Sequence, residues 1–191
     1  MDHYLDIRLR PDPETAPHQV LSALFGKLHL ALVRGANTDI GVSFPGVQQV
    51  PEAKAPSLGD CLRLHGTHGR LHGLMEGHWL ASMRDYVRVS DIVPVPAGAA
   101  HRVVSRVQAK SSPERLRRRY QTRHDCDAQE ARQRIPDAAA QTLDLPFIAL
   151  GSSSTAQQFP LFVRHGPLRA EGIAGAFSSY GLSPTTTVPW F

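Results

Sequence analysis

Apolar residues alternate with charged ones at the start of the chain and then recur at helical spacing. Leu5, Ile7 and Leu9 are separated by single charged residues, a pattern that predicts a β-strand with one buried face. From Pro17 to about residue 33 the apolar positions recur every three or four residues, which predicts an amphipathic helix that ends near Gly35. The apolar stripe of this helix consists of Leu21, Leu24, Phe25, Leu28 and Leu32.

The same two spacings continue through the first half of the chain. Alternating apolar residues at 40–44, 62–64 and 87–89 predict three more strands. Apolar residues at 71–75 predict a second helix that begins after Thr67. The order strand, helix, strand, strand, helix, strand is typical of the ferredoxin-like fold, a four-stranded sheet with two helices on one face. RNA-recognition modules use the same arrangement.

A change in composition separates the first half from the second. Residues 93–99 contain two prolines and a glycine, which suit neither a helix nor a central strand and indicate a linker. We therefore predict an α+β protein of two domains. Residues 1–93 form a ferredoxin-like, RRM-like domain, and residues 94–191 form a C-terminal α/β domain that carries an arginine-rich helix.

The second half contains both kinds of element. Strand-like segments stand at 103–109, 147–150 and 159–163. Residues 111–114 carry hydroxyl caps, a proline and an acid, which together predict the start of a helix. Asp127 can cap a further helix, which a proline at position 136 interrupts or bends.

Composition places the chain among ordinary globular proteins. It has 191 residues, of which 41% are hydrophobic and 20% are charged. Cys61 and Cys126 are too few and too far apart for a disulfide framework or a metal-binding pair, which predicts free thiols in a reducing compartment. There is no signal-peptide pattern and no apolar run of transmembrane length. We therefore expect a cytoplasmic protein with no membrane span.

Positive charge is concentrated in one segment. Residues 102–123 carry a net charge of +7, whereas the whole chain carries +4, so the remainder is negative overall. A local basic excess is the electrostatic footprint of a polyanionic partner. Nucleic acid is therefore the first hypothesis. The basic residues are Arg102, Arg106, Lys110, Arg115, Arg117, Arg118, Arg119 and Arg123.

The predicted arginine-rich helix presents much of this charge along one edge. Arg115, Arg119 and Arg123 are spaced at i, i+4 and i+8, with Arg118 beside them. A solvated charged face is the alternative interpretation. However, like charges at i, i+4 repel, and no glutamate is interleaved to relieve them. We favour contact with nucleic acid, without a choice between RNA and DNA.

The ten histidines raise the question of a metal site. His68 and His72 stand at i, i+4 on the predicted second helix, with His65 and His78 nearby. No carboxylate or thiolate stands at ligand spacing to complete a site, so exposed histidines are the favoured interpretation. The paired carboxylates of metal-dependent nucleases are also missing from the basic segment. We therefore expect neither a metal nor another cofactor.

Two polar features outside the basic segment are candidates for chemistry. On a helical wheel His29 lies about 80° from the centre of the apolar stripe, at the border between core and solvent, from which an imidazole can reach a cleft. A half-exposed surface histidine is the alternative, since nothing within the helix orients the ring. Residues 152–155 are hydroxyl-bearing and have the composition of a polar turn.

Long blocks of the sequence carry a family resemblance. They are residues 1–10, 24–29, 105–110, 113–119, 164–168 and 188–191. In these blocks the chain resembles the CRISPR RNA-processing endoribonucleases of type I-F systems. The likeness spans nearly the whole chain and is weakest over residues 45–60 and 65–100. Blocks of this length are far more specific than any short motif.

The resemblance implies a metal-independent enzyme that binds the repeat hairpin of precursor CRISPR RNA and cuts once at the 3′ base of the stem. The implied nucleophile is the ribose 2′-OH upstream of the scissile phosphate. The implied products are a 5′-hydroxyl and a 2′,3′-cyclic phosphate or 3′-phosphate. The family also implies that the protein retains the mature crRNA and joins the other subunits of the type I-F surveillance complex.

The matching blocks also imply roles for individual residues. His29 corresponds to the catalytic histidine, Ser152 to the serine that holds the nucleophilic ribose, and Tyr180 to the tyrosine that orients the histidine. Ser154 matches a serine close to the scissile phosphate. The implied RNA-binding residues are Arg106 and Gln108, which read base edges, Phe159, which stacks beneath the last base pair, and Arg115, Arg118, Arg119, Arg123 and His124 on the major-groove helix.

The chain departs from the family pattern at two places. Thr122 stands where the family can have another arginine, and residues 151–153 stand where an arginine and a glutamine can flank the serine. We therefore expect fewer phosphate contacts. Two other functions stay open: a non-catalytic RNA-binding module and a metal-dependent nuclease that uses the histidine cluster. Sequence also leaves open whether His29 acts as general base or general acid.

Overall fold

The computed structural model describes residues 1–47, 56–108, 113–136, 143–151 and 158–191, without the side chains of residues 113–115. The chain forms two compact units. The larger unit consists of Met1–Val107 with Leu145–Phe191, and the smaller unit consists of Gln108–Asp144. No helix among the described residues combines the length and the apolarity that a membrane span requires.

The first part of the larger unit has the predicted element order. Its elements are β1 (His3–Leu9), α1 (Pro17–Arg34), β2 (Gly41–Ser43), β3 (Cys61–Gly66), α2 (His68–Glu76) and β4 (Val87–Val89). The strands form an antiparallel sheet in the order β2-β3-β1-β4. Leu5 lies opposite Leu64 and Ile7 opposite Leu62, and all four side chains are buried. The predicted alternation of β1 is therefore confirmed.

Helix α1 forms where the apolar stripe predicts it. Pro17 occupies its first turn, where the missing N–H of proline costs no hydrogen bond. The helix ends at Arg34, and the N–H of Gly35 donates to the carbonyl of Ala31. All five residues of the predicted stripe are buried, whereas His29 is half-buried. The structure therefore confirms that His29 lies at the border of the core.

The interpretation of residues 93–99 as a linker is partly wrong. Val93–Pro94 forms a short strand, β5, which pairs with His3 and Tyr4 of β1. A proline is tolerated there because a short edge pairing does not need every backbone N–H. The turn that follows is made by Gly98, whose φ is +76°. The proline-containing segment is thus attached to the first sheet.

A second antiparallel sheet belongs to the same unit. Its strands are β6 (Ala100–Val107), β7 (Phe147–Gly151), β8 (Gln158–His165) and β9 (Thr187–Trp190), in the order β7-β8-β6-β9. The strands at 147–150 and 159–163 were predicted, but β9 was not. Strand β9 contains Pro189, which argues against a strand unless the strand lies at a sheet edge, as β9 does.

Both sheets contribute to one hydrophobic core. Val104, Leu161 and Val188 of the second sheet are buried in the same cluster as Leu5 and Leu62 of the first. The strands of the second sheet therefore lie in the same compact unit as the N-terminal elements and pack with them. The division into functional domains after residue 93 stays a prediction. The mixture of helices and sheets is confirmed.

In its described part, the smaller unit contains two helices, α3 (Pro113–His124) and α4 (Ala128–Arg134). Asp127 caps α4 as predicted, since its Oδ1 accepts hydrogen bonds of 2.8 Å from the backbone N–H groups of Gln129 and Glu130. The helix ends before the proline at position 136. Two residues of the predicted cap of α3, at 111 and 112, lie outside the described residues.

The two cysteines are free thiols, as predicted. Cys61 is buried on β3, and burial raises the pKa of its thiol to about 11. Cys126 is half-buried between α3 and α4 along the chain. The buried thiol is protonated at neutral pH and serves packing.

Candidate active site

An open groove of about 960 Å³ lies in the larger unit. One side is the solvent-facing surface of α1, and the other is formed by the end of β7, the start of β8 and Tyr180. His29, Phe159 and Tyr180 all line it. A groove is therefore present at the residues to which the resemblance gives catalytic and stacking roles.

His29 is held in the groove by a backbone carbonyl. Its Nδ1 lies 2.9 Å from the carbonyl oxygen of Ser179. A carbonyl oxygen only accepts hydrogen bonds, so Nδ1 must carry the proton and donate. In the neutral ring this leaves Nε2 unprotonated, with a lone pair able to accept a proton. Nδ1 therefore anchors the ring to the carbonyl, and Nε2 is the nitrogen that is able to accept a proton.

The aromatic ring of Tyr180 stacks on the imidazole of His29. The ring centroids are 4.1 Å apart and the planes differ by 12°. Tyr180 is in turn parallel to the buried ring of Phe25, at a centroid distance of 6.3 Å. The imidazole is thus restrained by the carbonyl in its own plane and by the tyrosine against its face.

A tight turn places both Ser179 and Tyr180. Gly181 has φ of +68°, and a Cβ at this position would collide with the side chain of Val42, so glycine is required there. The N–H of Val42 on β2 donates to the carbonyl of Gly181 at 2.8 Å, and the Oγ of Ser178 donates to the carbonyl of Leu182 at 2.8 Å. The turn that orients His29 is therefore bonded to the first sheet.

Arg106 and Phe159 lie at the same end of the groove as His29. The guanidinium carbon of Arg106, on β6, is 5.4 Å from the ring centroid of Tyr180 and 5.7 Å from that of Phe159. Both distances are within the range of cation–π contact. The larger unit thus gathers four predicted site residues in one place: His29, Tyr180, Arg106 and Phe159.

Other predicted site residues are not part of this described cluster. Ser152 and Ser154 lie outside the described residues, although Gly151 and Gln158, which flank that segment in sequence, line the groove. Gln108 is exposed and belongs to the smaller unit. The roles of these three residues stay predictions.

The predicted basic face of α3 is exposed to solvent. Arg118, Arg119 and Arg123 are exposed, whereas Leu116 and Tyr120 are half-buried, as the helical spacing predicts. His124 is also exposed, and its ring lies 4.3 Å from that of Tyr120. The side chain of Arg115 lies outside the described part of the helix.

Two arginines of the basic segment serve the fold instead. Arg102 donates from Nε and Nη2 to the carbonyl of Gly166, at 2.9 and 2.6 Å, and its guanidinium lies 4.4 Å from the ring centroid of Trp190. In the smaller unit, Arg117 donates from Nε to the carbonyl of Ile135 at 2.8 Å. The positive charge available to a polyanionic partner is therefore smaller than the sequence count.

The histidine cluster is not arranged as a metal site in the described residues. His65 is fully buried, its Nε2 lies 2.8 Å from the Oγ of Ser43, and burial lowers its pKa to about 3. His68 and His72 are exposed, with ring centroids 6.1 Å apart. Within the described ranges, no three His, Cys, Asp or Glu side chains converge to hold a metal ion. The interpretation of His68 and His72 as exposed histidines is confirmed.

Comparison with known proteins decides the family. The family model described as CRISPR-associated protein (Cas_Csy4) matches residues 4–191. The chain belongs to the Cas_Csy4 family. The resemblance found in the sequence blocks is thereby confirmed.

Two relatives in the Cas_Csy4 family align with the chain from end to end. One, from Pseudomonas aeruginosa (strain UCBPP-PA14), is 52% identical over 191 residues, which cover 100% of both chains. The other, from Escherichia coli (strain UTI89 / UPEC), is 46% identical with the same coverage. Both are named CRISPR-associated endonuclease Cas6/Csy4.

Sequence reasoning missed the backbone part of the site in this Cas_Csy4 protein. Neither the carbonyl of Ser179 nor the conformation of Gly181 was predicted, although serine, tyrosine and glycine at 179–181 are a recognisable turn signal. Lys27 and Gln19, which also line the groove, were missed as well. Nothing in the spacing of α1 distinguishes them from other polar surface residues.

Proposed function

We propose that the protein is a metal-independent endoribonuclease that binds the repeat hairpin of precursor CRISPR RNA and cuts at the 3′ base of the stem. The names of both relatives support an endonuclease. The observation that carries the proposal is the imidazole of His29, which faces an open groove while a carbonyl holds its Nδ1 proton. Such a ring is ready to remove a proton through Nε2.

In the proposed reaction, Nε2 of His29 takes the proton of the ribose 2′-OH. The 2′-oxygen then attacks the adjacent phosphorus, and the bond from phosphorus to the 5′-oxygen of the next nucleotide breaks. That oxygen takes up a proton, so the products are a 2′,3′-cyclic phosphate and a 5′-hydroxyl. An imidazole, whose ordinary pKa is about 6.5, suits this proton transfer at neutral pH.

The remaining residues of the site position the RNA in this proposal. Tyr180 orients the imidazole, Ser152 holds the nucleophilic ribose, and Ser154 lies near the scissile phosphate. A correctly turned ribose matters because attack must be in line with the leaving oxygen. The proton that His29 removes can afterwards be returned to the leaving oxygen, so the roles of base and acid are compatible with one ring.

RNA recognition is divided between base edges and phosphates. Arg106 and Gln108 read base edges at the foot of the stem, and Phe159 stacks on its last base pair. An A-form major groove is too narrow for most side-chain readout, so the arginine-rich helix contributes phosphate contacts and fit by shape. The helix residues concerned are Arg115, Arg118, Arg119, Arg123 and His124.

The same proposal extends to the domains of the protein, its location and its partners. The first sheet with α1 and α2 is a ferredoxin-like, RRM-like part that carries His29, and the arginine-rich helix and serine segment belong to the RNA-binding part. We propose that the protein retains the mature crRNA in the cytoplasm and joins the other subunits of a type I-F surveillance complex.

Cleavage of a repeat hairpin should be unaffected by excess EDTA. The physical reason is that the proposed reaction uses an imidazole and a positioned ribose, with no ion to polarise the phosphate. Single-turnover rates with EDTA and with added Mg²⁺ should agree within about twofold. Complete loss of cutting in EDTA, restored by the metal, would favour the metal-dependent nuclease instead.

Replacing Arg119 with alanine should weaken hairpin binding and reduce its dependence on salt. Each phosphate contact releases counterions, so losing one should lower the slope of log K against log salt by about 1. Filter-binding titrations at several salt concentrations give this slope. Arg84→Ala, which removes an exposed arginine of the larger unit, is the matched control. An equal effect of both variants would mean that Arg119 acts only through net charge.

A further inference from the structure

The groove extends well beyond the cluster of His29, Tyr180, Arg106 and Phe159. Its lining follows α1 back to His18 and Gln19 in the first turn of the helix. His29 is eleven positions after His18 in the same helix, a rise of about 16 Å. Stacked nucleotides are spaced by about 3.4 Å. The groove therefore has room for several nucleotides beside the reacting one.

The floor of this extension is made of small residues. Ser22, Ala23 and Gly26 line it between the two ends of the helix. Gly26 has only a side-chain carbon of Leu150 within 4 Å of the place where a Cβ would lie. The absence of larger side chains at these positions lets an RNA backbone approach the helix.

One wall of the extension is the free edge of the second sheet. Strand β7 lies at that edge, and the N–H of Ala149 points away from β8, since it donates to the Oγ of Ser22 at 3.2 Å. In an antiparallel pair every second residue points the same way, so the N–H of Gly151 also points away from β8. A Cβ added at Gly151 would meet no described atom within 4 Å, and Gly151 lines the groove, so it can offer this donor to a phosphate.

Lys27 supplies a positive charge to the same groove. Its side chain is half-buried and lines the groove. Among the described residues, no ion pair involves Lys27, and no described aspartate or glutamate lines the groove. A cation held in a groove without a carboxylate partner is suited to an anionic ligand. The RNA that is proposed to react at His29 carries phosphates, which are anions of this kind.

We infer that this part of the groove is a subsite for the nucleotides that follow the scissile phosphate, with Lys27 as its phosphate-binding cation. The inference rests on the proposed function, because it uses His29 to mark the position of the reacting phosphate. Phe159 and Arg106, where the stem is proposed to end, lie with Tyr180 at the His29 end. The reacting strand comes from the stem to His29. The nucleotides after the scissile phosphate therefore occupy the part of the groove that extends toward His18.

The test compares two hairpin substrates, one with several nucleotides after the scissile phosphate and one with a single nucleotide. Cleavage is measured in single-turnover reactions, with enzyme in excess of RNA but below saturation, so that the rates report kcat/KM even though the cleaved hairpin is retained. Lys27→Met keeps the volume of the side chain and removes its charge. It should lower the ratio of the long-substrate rate to the short-substrate rate by about threefold to tenfold, the effect of losing one charge-assisted hydrogen bond. Lys27→Arg should retain most of the ratio.

Arg34→Met is the matched control, since it removes an exposed cation from the last turn of the same helix outside the groove. It should leave the ratio unchanged. An unchanged ratio in Lys27→Met, or an equal fall in both variants, would overturn the subsite. A further pair of substrates differs in the 5′ flank of the hairpin. If the effect of Lys27→Met depends on that flank and not on the 3′ flank, the subsite is refuted too. Failure of the unsubstituted protein to cut either substrate would instead refute the proposed function.

Discussion

Replacing His29 with alanine is expected to slow cleavage of the repeat hairpin by about 10²- to 10⁴-fold, the usual contribution of a general acid–base group. Hairpin binding should change little, because the imidazole is a small part of the groove surface and the proposed phosphate contacts are made by arginines elsewhere. The two quantities are measured separately, by single-turnover cleavage and by equilibrium binding of an RNA with a 2′-deoxy ribose at the scissile position.

The control for this experiment is His72→Ala, which removes an exposed histidine of α2. It should cut and bind as the unsubstituted protein does. Cleavage at the original rate by His29→Ala would remove the imidazole from the mechanism. If neither the parent nor the variant cuts the hairpin and both bind it, the protein is the non-catalytic RNA-binding module that the basic helix alone also fits.

A single 2′-deoxy substitution at the scissile nucleotide should abolish cleavage. The reaction has no nucleophile without the 2′-oxygen, and the loss of rate should exceed that of any side-chain variant because the bond-forming atom itself is missing. Binding should be nearly unchanged, since the phosphates and stacked bases remain. The measurement is gel analysis of end-labelled hairpins.

The same deoxy substitution one nucleotide away is the matched control, and that RNA should be cut normally. Its products should carry a 5′-hydroxyl and a 2′,3′-cyclic phosphate or 3′-phosphate. Cutting of the deoxy substrate at the scissile position would show that water, rather than the ribose, is the nucleophile. That result would reopen the metal-dependent alternative.

Local patterns predicted much of the fold. The bounds of α1, the Asp127 cap of α4 and the burial of the α1 stripe agree with the structure, because helical spacing, a proline at the start and a capping carboxylate act within a few residues of one another. The border position of His29 followed from the same spacing. These features depend on side chains that are neighbours in sequence.

Features that depend on distant pairing were not predicted. Strand β9 and the attachment of β5 to β1 are made by backbone hydrogen bonds to segments far along the chain. Local composition at both places, with its prolines, favours loops. Likewise, a count of charges does not show that Arg102 is bonded to Gly166 and stacked on Trp190. Tertiary contact overrides local propensity in each case.

By itself the sequence determined the family blocks, the helix that carries His29 and the position of that residue beside the core. Only the tertiary structure decided how the imidazole is held, since Ser179 and Tyr180 are about 150 positions away along the chain. The decisive partner is a carbonyl, a group that every residue possesses, so no side-chain identity reveals it. Its place is set by the left-handed turn at Gly181 and the hydrogen bond to Val42.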